Sequence, residues 1–449
     1  MVLHVFFHAM ISKECDMQKK MGLMECTALV TGNLVGSGVF MLPAILASYG
    51  SSSIISWAIT ACGATLLALV FSELSKQVTD EVGGPHAFIL QAFGKEAGFW
   101  AAWGYWVLTW SSNTALLVTA ASYLVQITGP LSPLSMLCVQ LSIWATVSLV
   151  NLSGVENAAK FEACITVLKI LPIIVIPMVA LAYIDIEHFY SFTPLDTKVS
   201  LLEGMQASVF ATMWAFIGVE SATVPAKEVE NPEKTIGQAT ILGTLLAAVV
   251  YIVGSIATIG VLGSSTLTAS SAPYAQLASS IFGGTWASII ALCAIISCVG
   301  ALNGWTLVVA RIAQGAADQG LFPALFAKTN AQGTPVNSVL VASLCTLVSI
   351  VFTLQDDMLS QFNHIVDIAV TLILFIYFGC VLAYFKLTRG MNRYAYAIGI
   401  GAGSFVLFGL YASGIKQVMQ AIALLLTGVV FRLRWQVADD EDRLVTHSS

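Results

Sequence analysis

The chain has 449 residues, of which 57% are hydrophobic and only 10% charged, where an ordinary soluble protein carries about 25% charged residues. That deficit excludes a soluble enzyme. With 19 Lys plus Arg against 25 Asp plus Glu, the net charge of −6 gives no electrostatic support to a nucleic-acid partner. The nine cysteines stand singly, nearly all in apolar runs and with no C-x-x-C pair, which argues against a metal site or a disulfide framework.

Residues 1–20 contain an apolar run, Val2 to Ile11, with no basic residue before it and no small-residue cleavage site after it. They are expected to form a cytoplasmic extension and not a signal peptide. His4 and His8 share a helical face there, but no further ligand is in view. Twelve mostly apolar stretches follow, each near the roughly 20 residues a helix needs to cross a bilayer. The first five run at 22–48, 51–73, 99–127, 134–152 and 160–184, and the next five at 205–226, 236–262, 284–311, 336–354 and 362–385. Two weaker ones, 394–414 and 415–433, meet at a tight turn at Gly414. The expected fold is therefore an all-α polytopic membrane protein of about 12 transmembrane helices. It has one transporter-sized domain at 21–433 and an acidic tail at 434–449, carrying Asp439, Asp440, Glu441 and Asp442.

Placing the N-terminus in the cytoplasm puts sixteen Lys and Arg residues on the inner side and two, Lys198 and Lys416, on the outer side, and leaves Lys169 within the fifth span. The positive-inside rule then orients the chain with both termini cytoplasmic, as a multi-pass protein of the inner membrane.

Two spans carry features that a lipid-facing helix avoids. The first contains Gly32-Asn33-Leu34-Val35-Gly36-Ser37-Gly38, and each glycine costs roughly 1 kcal/mol against alanine in a helix interior. The sixth contains Trp214-Ala215-Phe216-Ile217-Gly218-Val219-Glu220-Ser221. Gly36 and Gly218 lie 182 residues apart, and the two spans begin 183 apart. Corresponding breaks in two halves of five spans, 22–184 and 205–385, indicate an inverted repeat with a substrate site at the midplane, and 394–433 lies outside it. Close helix packing on small residues is the competing reading of the first cluster.

These segments resemble the amino acid–polyamine–organocation superfamily, and within it the bacterial exchangers of arginine for agmatine, ornithine for putrescine and lysine for cadaverine. Further matching pieces are Leu42-Pro43-Ala44, Glu230-Asn231-Pro232-Glu233-Lys234, Gly304-Trp305-Thr306 and Ala317-Asp318-Gln319-Gly320-Leu321-Phe322-Pro323. The resemblance runs from about Met21 to Leu433. It implies a LeuT-like fold, a 5+5 inverted repeat with helices 1 and 6 broken.

It also implies a substrate site at Asn33, Leu34, Gly36, Ser37, Gly38, Asn113, Trp214, Ile217, Trp305 and Ala369. Freed amides at Ser37 and Gly38 suit a carboxylate, and freed carbonyls near Trp214 and Ile217 suit an α-ammonium. Trp214 and Trp305 would stack on the cationic side chain, a contact worth roughly 2 kcal/mol when desolvated. Asn113, with Leu116 beside it, would meet the distal end of the substrate or bond between helices. Trp57, Trp103 and Trp110 read as interface anchors or core fillers.

Tyr105, Glu220 and Tyr377 match gate positions. An intramembrane carboxylate is costly enough to suggest function, and a structural hydrogen bond across the break is the alternative for Glu220. Lys169 departs from the exchanger pattern and resembles the coupling lysine of proton-coupled amino acid permeases, with snorkelling as its plain reading. His364 and Asp367 also depart; Asp367 would pair with Lys169, hold an ammonium or carry a proton. Ala369 and Thr109 replace expected polar and thiol residues.

The leading expectation is a secondary active exchanger of a cationic amino acid for its decarboxylated amine, and the alternative is a proton-coupled permease using Lys169. No H-E-x-x-H, Ser/His/Asp or phosphate-loop motif occurs, so no catalytic residues, metal or cofactor are expected. The expected partners are amino acid and amine substrates, protons and the lipid bilayer, with homodimerisation open.

Overall fold

The first apolar stretch forms two helices, α1 (Leu23–Leu34) and α2 (Ser37–Ala47), bent by 40° at the break. The structure, a computed structural model, describes residues 20–78, 84–153, 173–190, 193–224, 229–330, 333–352 and 357–447, with side chains described as far as 433. Next come α3 (Ser53–Gln77), α4 (Pro85–Phe93), α5 (Lys95–Thr128) and α6 (Pro133–Leu152). Of the span expected at 160–184, the described part is α7 (Ile173–Tyr183); Lys169 lies outside the described residues. The sixth stretch opens as α8 (Leu201–Met213) and then loosens into 3-10 turns at Trp214–Phe216 and Ser221–Thr223.

The second half continues with α9 (Pro232–Leu262), α10 (Ser264–Thr268), α11 (Pro273–Phe282), α12 (Gly284–Asp318), α13 (Val336–Phe352) and α14 (Met358–Leu387). The last helix, α15 (Arg393–His447), is interrupted at Gly414, whose φ of 78° lies in the left-handed region that glycine alone adopts without cost. This is the turn expected there. Proline stands in the first turn of α4, α6, α9 and α11, where its missing N–H breaks no helical bond. Side chains cap three starts, that of α6 among them. Ser132 accepts from Ser135 N at 3.2 Å, Asp357 from Ser360 N at 2.8 Å, and Ser200 and Glu203 form a reciprocal capping box.

Six of the described helices are long and apolar enough to cross a membrane, or seven if the bent α1–α2 pair is one span. The 34-residue α5 is outside that set, because Trp100, Trp103, Trp106, Trp110 and Asn113 dilute its aliphatic content. Those residues suit a helix surrounded by protein: α5 packs along α12 and α14, and most of its length is buried. The short helices α4, α10 and α11 fall between the expected spans and have no counterpart in the sequence reading.

Two groups of helices frame the middle of the molecule. The first sets α1 and α3 against α9, with α8 against α3; the second sets α5 and α6 against α12 and α13. Buried hydroxyl and amide pairs tie neighbours within each group. Ser56 meets Ser208 at 2.5 Å and Thr60 meets Thr212 at 2.6 Å between α3 and α8. Asn151 donates to Asn303 at 2.9 Å between α6 and α12, and Thr114 to Ser349 at 2.9 Å between α5 and α13. In lipid the apolar environment gives no net drive for helices to associate, so such bonds and close packing carry the contact. Leu149, Leu202, Leu246, Val249 and Phe352 are exposed on the outside, as a lipid-facing surface requires. Of the tryptophans read as anchors or fillers, Trp57 is a filler: it is buried and stacks on Tyr251 with ring centroids 5.0 Å apart.

Candidate functional site

Between α1 and α2 the chain leaves helical geometry at Val35 (φ −79°, ψ 79°) and Gly36 (φ −117°, ψ −133°). No side chain caps the start of α2, so its first N–H groups are left without side-chain partners at the positive end of a helix dipole. In the sixth stretch the break turns on Gly218, whose φ of +111° no L side chain adopts comfortably. A Cβ at that position would stand 3.1 Å from Trp305 Cζ2, so the glycine also lets the indole approach the backbone.

The 3-10 geometry uses carbonyls that the sequence reading left free. Trp214 O accepts from Ile217 N at 3.2 Å and Phe216 O from Val219 N at 3.3 Å. Ala215 O accepts from the Tyr251 hydroxyl at 3.0 Å. Ile217 itself is extended (φ −69°, ψ 125°). The same Tyr251 hydroxyl lies 2.5 Å from Leu34 O in the other break, so a single side chain of α9 is shared by both.

The two breaks face a common cavity of about 40 Å³, lined by Asn33, Leu34, Gly36, Ser37, Gly38, Leu108, Thr109, Ser112, Asn113, Leu116, Trp214, Ile217 and Trp305. Nine of the ten residues expected at a substrate site are therefore brought together. Ala369 is buried on α14 but is not part of this wall. Leu108, Thr109 and Ser112 line the cavity although the expectation did not place them at the site. Thr109 carried a signal in its spacing from Asn113, one turn away on α5; Leu108 and Ser112 carried none.

The wall carries several unmatched polar groups. Asn33 Nδ2 and Ser37 Oγ are buried without a protein partner, and they lie beside the uncapped start of α2. On α5, Asn113 Oδ1 and the Ser112 hydroxyl are buried without one as well. Trp214 and Trp305 are both half-buried, and Trp214 rests edge-on against Phe362 at 6.2 Å. Thr109 donates its hydroxyl proton to Tyr105 O at 2.6 Å, leaving oxygen lone pairs for the cavity.

Glu220 follows the second break and is fully buried. Its carboxylate accepts from the Tyr105 hydroxyl of α5 at 2.7 Å, from the Tyr377 hydroxyl of α14, and from Gly218 N at 3.2 Å. A buried carboxylate is tolerated only when it is hydrogen-bonded in this way. It thus spans the break locally and ties two distant helices to it. Asp367 sits elsewhere: it is half-buried, bonded to the Gln417 side chain and close to Tyr49, and forms no part of the cavity wall. His364 is likewise outside the wall.

The profile of a family described as amino acid permease matches residues 21–431. The chain is 32% identical over 405 residues to the putrescine transporter PotE of Haemophilus influenzae, covering 88% of this chain and 92% of that one. It is 31% identical over 388 residues to a putative arginine/ornithine antiporter of Bacillus subtilis, covering 80% and 82%. It is 33% identical over 376 residues to the cadaverine/lysine antiporter of Escherichia coli K12, covering 81% and 83%. With the profile covering nearly its whole length, the chain belongs to the amino acid permease family of the amino acid–polyamine–organocation superfamily, and it is a helical membrane transporter, not an enzyme.

Proposed function

We propose that the protein exchanges a cationic amino acid for its decarboxylated amine by alternating access. In this reading the chain has twelve spans, arranged as a 5+5 inverted repeat (22–184 and 205–385) followed by two further helices at 394–433. It lies in the inner membrane with both termini cytoplasmic. The observation that carries the proposal is the cavity between two broken helices, lined by unpartnered Asn33 and Ser37 groups beside the start of α2, by the unpartnered Ser112 hydroxyl and Asn113 Oδ1 on α5, and by two indoles. A substrate carboxylate is received by the start of α2, Ser37 and Asn33; its α-ammonium meets the backbone near Ile217; its cationic side chain lies between Trp214 and Trp305 and points to Asn113. Decarboxylation removes only the group bound at α2, so both exchanged species fit one site.

Glu220, with Tyr105 and Tyr377, closes the path between this cavity and the cytoplasm. In proteoliposomes preloaded with putrescine, cadaverine or agmatine, uptake of labelled ornithine, lysine or arginine requires the internal amine. Equal uptake into empty vesicles overturns exchange and favours the proton-coupled alternative built on Lys169. Glu220→Gln is expected to slow exchange by tenfold or more while substrate affinity changes less than threefold.

A further inference from the structure

In the proposed orientation the end of α14 and the start of α15 face the cytoplasm, and the turn between them is tightly built. Gly390, at φ +66°, reverses the chain. The Asn392 side chain accepts from Tyr394 N at 3.0 Å and from Ala395 N at 2.9 Å, which caps α15. The Tyr384 hydroxyl donates to Ala395 O at 3.0 Å, and the Phe385 and Tyr396 rings stack with centroids 6.2 Å apart. Side chains at this corner are therefore presented on a fixed frame.

Lys386, Arg389 and Arg393 stand at the corner, and all three are exposed. No acidic residue occurs between Asp367 and Asp439. Among the described residues none of the three cations meets a carboxylate: Glu73, beside Tyr384, is taken by Lys76 at 2.6 Å, and Glu96 is taken by Arg432. Lys386 Nζ lies instead 5.0 Å from the centroid of the Phe93 ring. The Arg393 guanidinium lies 5.0 Å from that of Tyr394 and donates to its hydroxyl at 3.1 Å. An aromatic face attracts a cation but leaves its charge uncancelled. The positive-inside rule accounts for cations on this side; it does not call for unpaired ones gathered round one rigid turn.

Apolar surface continues from the cations. Leu382, one turn before Lys386 on α14, is 44% exposed, and Tyr396 and Ile400, one turn apart on α15, are 51% and 61% exposed. Tyrosines are enriched at the level where headgroups meet hydrocarbon. A cationic rim above an apolar wall matches an anionic amphiphile. A zwitterionic headgroup would bring its own cation against these residues, and a free phosphate would leave the apolar wall unused.

We propose that the corner between α14 and α15 binds an anionic phospholipid, with its phosphate among Lys386, Arg389 and Arg393 and an acyl chain along Leu382, Tyr396 and Ile400. The site bears on the gate. Tyr377 lies on α14 before Lys386, and Phe93 ends α4, whose Pro85 O accepts from Cys380 Sγ at 3.5 Å. A bound headgroup thus steadies the elements that hold Tyr377 against Glu220.

The orientation decides only which leaflet supplies the lipid, so the test is made without a membrane. Labelled phosphatidylglycerol and phosphatidylcholine with the same acyl chains are titrated onto delipidated full-length protein in neutral detergent. The proteins are the wild type, the triple variant Lys386→Gln, Arg389→Gln, Arg393→Gln, and a control, Lys234→Gln with Lys328→Gln, which removes exposed cations elsewhere on the same side. Each cation near an anionic headgroup contributes about fivefold. Phosphatidylglycerol is therefore expected to bind the wild type and the control at least about tenfold more tightly than phosphatidylcholine, and the triple variant no more tightly. Inorganic phosphate is expected not to displace it. Equal affinity for the two lipids, an unchanged triple variant, or the same loss in the control overturns the proposal; displacement by inorganic phosphate overturns it in favour of a soluble anion. If the melting temperature shows that the triple variant is not folded, the three single variants decide, each expected to lose about fivefold.

Discussion

The Tyr251 hydroxyl stands 2.5 Å from Leu34 O, and the same oxygen is 3.0 Å from Ala215 O. Leu34 ends α1 and Ala215 belongs to the first turn after α8, so one phenol on α9 serves both interrupted helices. Its ring is held by stacking on Trp57, at an interplanar angle of 14°. The two breaks therefore share a support that is independent of any substrate.

Tyr251→Phe keeps the stacked ring and removes the donor. Two buried carbonyls then lose a partner, which costs about 1–3 kcal/mol. The expected outcome is a lower melting temperature in detergent together with a slower exchange rate. Unchanged exchange with a lowered melting temperature would assign the phenol to stability alone.

Gly218→Ala strains the second break twice. An alanine at φ +111° costs about 1–3 kcal/mol, and its Cβ would press on Trp305 from 3.1 Å. Substrate affinity is expected to fall by about tenfold or more, as measured by calorimetric titration of the best amine. Retained affinity would show that the position of the indole does not matter.

Trp305→Ala and Trp305→Phe separate aromatic contact from bulk. A desolvated cation–π contact is worth about 2 kcal/mol, so alanine is expected to weaken cation binding by roughly thirtyfold, and phenylalanine by less. Equal losses in the two variants would point to shape, not to the aromatic face.

His86 predicts a pH dependence of stability. It lies on the connecting helix α4, is fully buried, and burial pushes its pKa down from 6.5 to about 4, with the Gln319 side chain opposing in part. The folded imidazole stays neutral while the unfolded one takes up a proton below pH 6.5, so its contribution is intact above that pH and lost as pH falls towards 4. The integrated effect is about 3 kcal/mol. Melting temperature should fall from pH 7 to pH 4.5 in the wild type, and less steeply in His86→Gln. Parallel slopes would place the acid sensitivity elsewhere.

Much of the backbone is legible in the chain itself. The ends of α3, α5, α6, α9 and α14 fall within a few residues of the apolar stretches, because proline, glycine and short polar runs act on adjacent dihedrals; α12 starts with its stretch but runs on to Asp318, past the expected end at 311. Both breaks are readable for the same reason: Gly36 and Gly218 mark places where a helix is locally expensive. The turn at Gly414 is a third case. The short α4 and α11 were not legible, since they lie between the spans and carry no run of membrane length.

Which residues meet was decided by tertiary structure. Tyr105 and Tyr377 converge on Glu220 from 115 and 157 residues away, and Tyr251 reaches Leu34 across 217. Asp367, which looked in the sequence like a partner for the site, turns instead towards Gln417. The reason is physical: a helix in lipid is apolar on nearly every side, so no hydrophobic stripe tells its inner face from its outer one. Local composition determined where this chain is helical and where the helices break; only packing decided which faces turn inward and what chemistry they enclose.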